Sequence, residues 1–191
     1  MASKQKERLS REDWLYAGFR ALCSGGAKAI RAEAIARELE TTKGSFYWHF
    51  SNVPDFETAM LNFWQQKATG ELIEALELVG EDPARQLATL VELVVEARDD
   101  IYGGLRAEMA IRDWAVYNPA AAEKLAIVDQ LRLGWLMDRI SALGHKTADS
   151  KILAINFYAL VIGLEQLELV GKASVKSGLE LALSQILTTT P

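Results

Sequence analysis

The stretch "TTKGSFYWHF", Thr41 to Phe50, gathers hydroxyls, a lysine, a glycine, four aromatic rings and one of the chain's two histidines. Catalysis is one use for such residues. It requires a base held against a nucleophile, or several Cys, His, Asp and Glu side chains converging on a metal. Here His145 lies far along the chain from His49, Cys23 sits in an apolar helical pattern, and no phosphate-cradling glycine loop occurs. The reading is a protein that is not an enzyme, with no catalytic residue, no metal site and no cofactor. Recognition fits the residue types better. Thr42, Ser45 and His49 follow i, i+3, i+7, with Lys43 and Tyr47 beside them, so one helical face offers hydroxyls, a phenol, an imidazole and an ammonium. These are groups that meet phosphates and base edges. Gly44 costs about 1 kcal/mol in a helix relative to Ala, but lets a sugar-phosphate backbone approach closely. Trp48 divides evenly between this face and the core behind it.

Three short helices would position the face. Ser10 followed by Asp13 has the spacing of a capping box, and Leu15, Gly18, Phe19 and Leu22 then recur along one side of a helix that Gly25-Gly26 ends. A second helix fits Arg31 to Leu39, with Ile35 and Leu39 inward and Arg31 and Arg37 outward. Thr42 caps a third, in which Phe46 and Phe50, at i, i+4, turn inward. Three short helices with a tight turn before the third are the layout of a helix-turn-helix.

Charge is distributed to match. The whole chain of 191 residues carries a net charge of −5, yet its first fifty residues hold nine Lys/Arg against six acids, +3, which leaves −8 for the rest. The asymmetry points to a basic front end on an acidic body, although small charge differences along a chain also arise by accident and charge alone does not decide the partner. One cysteine excludes an internal disulfide framework and suits a reducing, cytoplasmic setting. No cleavable leader pattern opens the chain, and the longest apolar stretch, Ile152 to Leu164, is short for a bilayer and contains Asn156, so no membrane partner is expected.

The segment "AIARELETTKGSFYWHFSNVPDFETAML", Ala34 to Leu61, resembles the DNA-binding signature of TetR/AcrR-type transcriptional regulators. The resemblance implies duplex contacts at Thr42, Lys43, Gly44, Ser45, Tyr47 and His49, with backbone contacts at Arg8, Arg11 and Arg31. Two departures stand out. Glu40-Thr41 replaces the family's usual Gly-Val in the turn, and "SNVPDF" opens the fourth helix with Asp55 where a base is usual. Both place acid near DNA and soften the phosphate grip.

Beyond Phe50 the pattern stays helical: Val53 to Val79 as one long helix linking two domains, then Ala84 to Asp100, Leu105 to Tyr117, Pro119 to Leu143, Thr147 to Val170 and Ser174 to Leu187. The expectation is an all-α chain of about nine helices, with a helix-turn-helix DNA-binding domain over residues 1–52 and a ligand-binding and dimerisation domain over 53–191. The helix from Thr147 is apolar on more than one side, with one stripe through Leu153, Phe157, Leu160, Leu164 and Leu167 and another through Ile152, Ile155, Ala159 and Ile162. One face packs inward and another needs a partner. A homodimer seam of four helices, two from each subunit, is the economical arrangement, built from Ile155, Ala159, Ile162, Gly163, Leu179, Leu183 and Ile186, and the resemblance implies the same.

Aromatic and sulfur-bearing residues collect in the middle helices: Met60, Trp64, Tyr102, Met109, Trp114, Tyr117, Trp135, Phe157 and Tyr158. They could line an adaptable apolar pocket for an unknown small-molecule effector, with Glu108, Arg112 and Asp113 to orient it. Ordinary core packing uses the same residue types. The expected function is a ligand-responsive regulator, by family habit a repressor, that binds a near-palindromic operator as a homodimer. The alternative is a helical ligand-binding or adaptor protein with weakened or lost DNA recognition.

Overall fold

The computed structural model describes residues 9–96 and 102–188. Among these the regular structure is helical throughout, as the periodicity predicts. Contacts group the helices into two compact units. The first comprises residues 9–64 with 102–123, and the second residues 65–96 with 124–188.

In the first unit, α1 (Arg11–Gly25) starts at a capping box: the Ser10 hydroxyl accepts from the Asp13 N–H at 3.2 Å, and the Asp13 carboxylate accepts from the Ser10 N–H at 2.7 Å. Those two bonds satisfy donors that a bare helix end leaves unpaired. The helix stops at Gly26, whose φ of 68° is open to glycine and strained for other residues. A 3-10 turn, Ala27–Ala29, leads to α2 (Ala32–Glu38), and Thr42 caps α3 (Lys43–Phe46), its hydroxyl accepting from the Ser45 N–H at 3.3 Å.

The α-helix expected from Thr42 to Phe50 is one turn long, followed by hydrogen-bonded turns. Phe46 and Phe50 nevertheless keep their i, i+4 relation, because the Phe50 N–H donates to the Phe46 carbonyl at 3.0 Å. Both rings are fully buried and meet Phe56 of α4 (Val53–Gln65) with centroids 5.3 and 4.7 Å away. Gly18 sets how closely α1 and α4 pack: a Cβ there would lie 2.6 Å from the Phe56 ring and 2.7 Å from the Met60 sulfur. Asp55, the acid at the start of α4, has a structural use. Its carboxylate accepts from the Ser51 N–H at 2.8 Å while its own N–H donates to Asn52 Oδ1 at 2.9 Å, a reciprocal cap on that helix.

Glu40 ends α2 with φ 50°, the only non-glycine residue at positive φ among those described. It occupies the position where the family signature carries glycine, and an L side chain there costs roughly 1–2 kcal/mol of backbone strain. Glu40→Gly should therefore raise the stability of the first unit by about 1 kcal/mol, read as a higher urea midpoint. A lowered midpoint would show that contacts of the Glu40 side chain outweigh its strain.

The helical path of α4 continues through a π-helical stretch, Gln66–Gly70, into α5 (Glu71–Glu77), so residues 53–77 stay helical with one loosened turn. The other helices are α6 (Pro83–Glu96), α7 (Gly104–Ala115), α8 (Pro119–Ala142), α9 (Thr147–Leu169) and α10 (Val175–Thr188). In the first unit α7 packs on α1, where Tyr102 meets Phe19 edge-on at 5.6 Å. In the second, α10 packs on both α6 and α9 around a core that includes Leu87, Leu136, Ile140, Ala154, Phe157 and Leu179.

Candidate functional site

Most of the residues expected on the recognition face lie toward solvent on the α3 segment. Phe46 and Phe50 anchor it from behind, while Thr42, Lys43 and Gly44 are exposed and Ser45 and His49 are half-buried. Tyr47 is 48% exposed, so its phenol reaches solvent while its ring rests edge-on against Phe46 at 5.3 Å. Trp48 settles on the outside at 82% exposed. A tryptophan left so open is unusual for a residue with that much apolar area, which adds Trp48 to the candidate face. The His49 ring lies 6.1 Å from buried Trp14, which fixes its base against α1. A Cβ on Gly44 would meet only the Thr42 hydroxyl, at 3.6 Å, so packing within the chain does not demand glycine there.

The flanking cations are less free than the sequence suggests. Lys43 forms an ion pair with Glu33 of α2 and lies 5.8 Å above the Tyr47 ring. The Arg11 guanidinium sits 4.9 Å over the Phe50 ring, and Arg31 is exposed at the start of α2. Arg8 lies outside the described residues.

The residues proposed for an effector pocket fall into two groups. Met60, Trp64, Tyr102 and Trp114 are buried and Met109 half-buried in the first unit, whereas Trp135, Phe157 and Tyr158 are buried in the second. Tyr117 is set apart from both groups: it is 82% exposed just beyond the end of α7 and is not packed with the buried residues expected beside it. Arg112 and Glu108 pair with each other along α7 at 2.8 Å.

The second unit holds polar groups that residue types alone did not single out. From α8, Arg132 donates to the Thr69 hydroxyl at 3.0 Å, to the Ala68 carbonyl at 3.1 Å and to the Tyr158 phenol at 3.1 Å. Tyr158 in turn donates to Asp129 at 2.7 Å. Ala68 and Thr69 both lie in the π-helical stretch, so Arg132 ties that stretch to α8. One turn further on, Trp135 Nε1 donates to Glu77 at 3.0 Å and Arg139 donates to buried Gln86 at 2.9 Å. The signal was the spacing of Arg132, Trp135 and Arg139 along one face of a helix, visible only once that face is known to point inward.

The proposed dimer residues also divide. On α9, Ile155 is 45% exposed and Ala159 is exposed, along one open stripe with exposed Ile152 and Val170, while Gly163 is half-buried and Ile162 is half-buried and packs partly against the core of its own unit. Leu179, Leu183 and Ile186 are corrections: on α10 they face inward and pack into the core of their own unit, Leu183 at 7% exposed. The open side of α10 shows Leu181 and Leu187 instead. By length and composition alone α9, longer than the stretch from Ile152 to Leu164 within it, could cross a membrane, with a mean hydropathy of 1.5 over its most apolar window.

No family profile and no curated protein sequence matches the chain. Solved structures do. A chain described as a transcriptional regulator from Saccharomonospora viridis, in complex with choline, aligns with a TM-score of 0.77 at 21% identity over 94% of this chain and 95% of that one. A TetR transcriptional regulator from Legionella pneumophila aligns at 0.75 and 16% identity over 98% and 100%. A TetR-family regulator from Agrobacterium tumefaciens aligns at 0.73 and 17% over 94% and 96%. At these identities the likeness is one of fold, and it spans nearly the full length of each chain. The chain has the fold of TetR-type transcriptional regulators.

Proposed function

We propose that the protein is a ligand-responsive, DNA-binding transcriptional regulator that acts in the cytoplasm as a homodimer on a near-palindromic operator. The observation that carries this reading is the exposed Thr42–His49 face, with Tyr47 and Trp48 held outward by buried Phe46 and Phe50. Residues 1–52 carry duplex recognition and residues 53–191 carry effector binding and dimerisation. Thr42, Ser45, Tyr47, Trp48 and His49 meet base edges and phosphates, Lys43, Arg11 and Arg31 meet phosphates, and Gly44 admits the backbone.

The open stripe on α9 is read as the dimer seam. Ala159 and Gly163 leave room for a close helix, and a Cβ on Gly163 would meet nothing in its own chain within 4 Å. Exposed Lys151, Asn156 and Gln166 interrupt the apolar surface of α9 and favour a second protein copy over lipid. Two copies would set the recognition faces about one duplex turn apart, roughly 34–36 Å, or a multiple of it. A small, largely apolar effector in the second unit, near Trp135, Phe157 and Tyr158, would favour the state with wrongly spaced faces and so release the operator, the action of a repressor. That a neighbour of the same fold was solved with choline supports a small-molecule site in such a body.

The test is duplex binding across a salt series, with steep salt dependence and sequence preference expected. Lys43→Ala should weaken binding and flatten the slope of log K against log salt by about one. An unchanged slope would remove Lys43 from the phosphate contacts, and no binding to any duplex would favour the adaptor reading.

A further inference from the structure

The ion pair between Lys43 and Glu33 links the helix proposed for the groove to the one before it. Glu33 belongs to the first turn of α2, and Lys43 is the first residue of α3. Both side chains are about half exposed, 57% and 50%, so the pair sits on the surface rather than in the core. Hydrogen bonding to the Lys43 ammonium holds the Glu33 carboxyl below the usual carboxylate range, and the same bond raises Lys43. Arg31, two residues from Glu33, is the other cation acting on that carboxylate.

We propose that Glu33 is an affinity-limiting residue of the DNA-binding face, a built-in counter-charge that occupies Lys43 until a phosphate displaces it. The proposal rests on the DNA-binding reading above. A surface ion pair has little net worth, so it does not lock α2 to α3. Its weight falls on binding. When Lys43 turns to a phosphate, the Glu33 carboxylate loses its partner and faces the same polyanion. Every duplex contact by Lys43 is thus partly cancelled by a neighbouring negative charge, whatever the base sequence. Packing does not require the arrangement, because neither side chain is buried. An acid in the first turn of α2 also complements the helix N-terminus, but that role affects stability and is indifferent to DNA.

The experiment compares wild type, Glu33→Gln, Lys43→Ala and the double variant on the duplex that wild-type protein enriches from a randomised library. Glu33→Gln should bind about three- to tenfold more tightly near physiological salt, and its salt slope should steepen by up to about one, since the carboxylate that would take up a cation once Lys43 turns to its phosphate is gone. In the Lys43→Ala background the gain from Glu33→Gln should shrink by more than half, as coupled neighbours are not additive. A purely helix-capping role would move the urea midpoint and leave the slope alone. Equal affinity and slope for Glu33→Gln would overturn the proposal while leaving DNA binding intact, and fully additive effects would overturn the role of Lys43 in it. A wild-type protein that enriches no duplex would remove the DNA-binding reading itself and the proposal with it.

Discussion

Ile155→Glu should convert the protein to folded monomers and abolish tight operator binding, although it leaves Thr41–Phe50 untouched. Ile155 is 45% exposed on α9, so a glutamate there remains solvated in the single chain and the second unit keeps its core. In the proposed dimer the same position lies in an apolar seam. Two-fold symmetry would then bury two unpaired carboxylates, one from each copy, and an uncompensated buried charge costs several kcal/mol. The dimer dissociation constant should rise at least about a hundredfold, given that each 1.4 kcal/mol is a factor of ten. Sedimentation should show monomers with unchanged helical circular dichroism. Operator affinity should fall to that of a single half-site. If Ile155→Glu sediments as a dimer, the α9 stripe is not the seam.

The same substitution at Leu183 asks a different question. Leu183 belongs to the buried core of its own unit, the cluster that also holds Leu87, Leu136 and Phe157, and is 7% exposed. Leu183→Glu would unfold that unit before it tested any interface. This contrast marks what the sequence could and could not convey. Helix ends were legible because their causes are local: Ser10 and Thr42 cap through side chains three residues from their targets, and the glycine pair at residues 25 and 26 stops α1. The inward turn of Phe46 and Phe50 was legible from their spacing alone.

Which side of α9 and α10 meets their own chain was not legible in that way. Both helices carry apolar residues on several faces, and an apolar residue looks the same whether it covers a home core or waits for a partner. The packing of α10 on α6 and α9 uses up Leu179, Leu183 and Ile186 internally, while Ile155 and Ala159 are left open. Tyr117 and Trp48 were ambiguous for a related reason. Each follows the end of a short helix, so extrapolating helical phase says little about where the ring goes. The Arg132 network was hidden because its partner Thr69 lies in a π-helical stretch, where the regular 3.6-residue phase no longer applies.

Phe46→Ala should be the most damaging single change to the proposed DNA-binding face, although no atom of Phe46 reaches it. The ring is fully buried between Trp14, Tyr47, Phe50 and Phe56, with centroid separations of 5.3–5.5 Å to each. Truncating a buried phenylalanine to alanine costs about 3–5 kcal/mol, because transfer energy is lost and the cavity closes only partly. α3 is a single α-helical turn and cannot hold itself by backbone bonds alone, since short helices are marginal without tertiary packing. Its Thr42 cap and its Phe46 anchor are therefore what keep Tyr47 and Trp48 turned outward. Urea denaturation followed by tryptophan fluorescence should show a lowered midpoint. Duplex affinity should fall more steeply than for Lys43→Ala, because the whole face loses its order rather than one contact. Phe46→Leu separates the two effects: it restores most of the packed volume and should recover most of the stability and the binding together. If Phe46→Leu regains stability but not affinity, the Phe46 ring shapes the face by more than filling space. If Phe46→Ala keeps native affinity at temperatures where it is folded, the face is held by α2 and its turn, and the anchoring role argued for Phe46 is wrong.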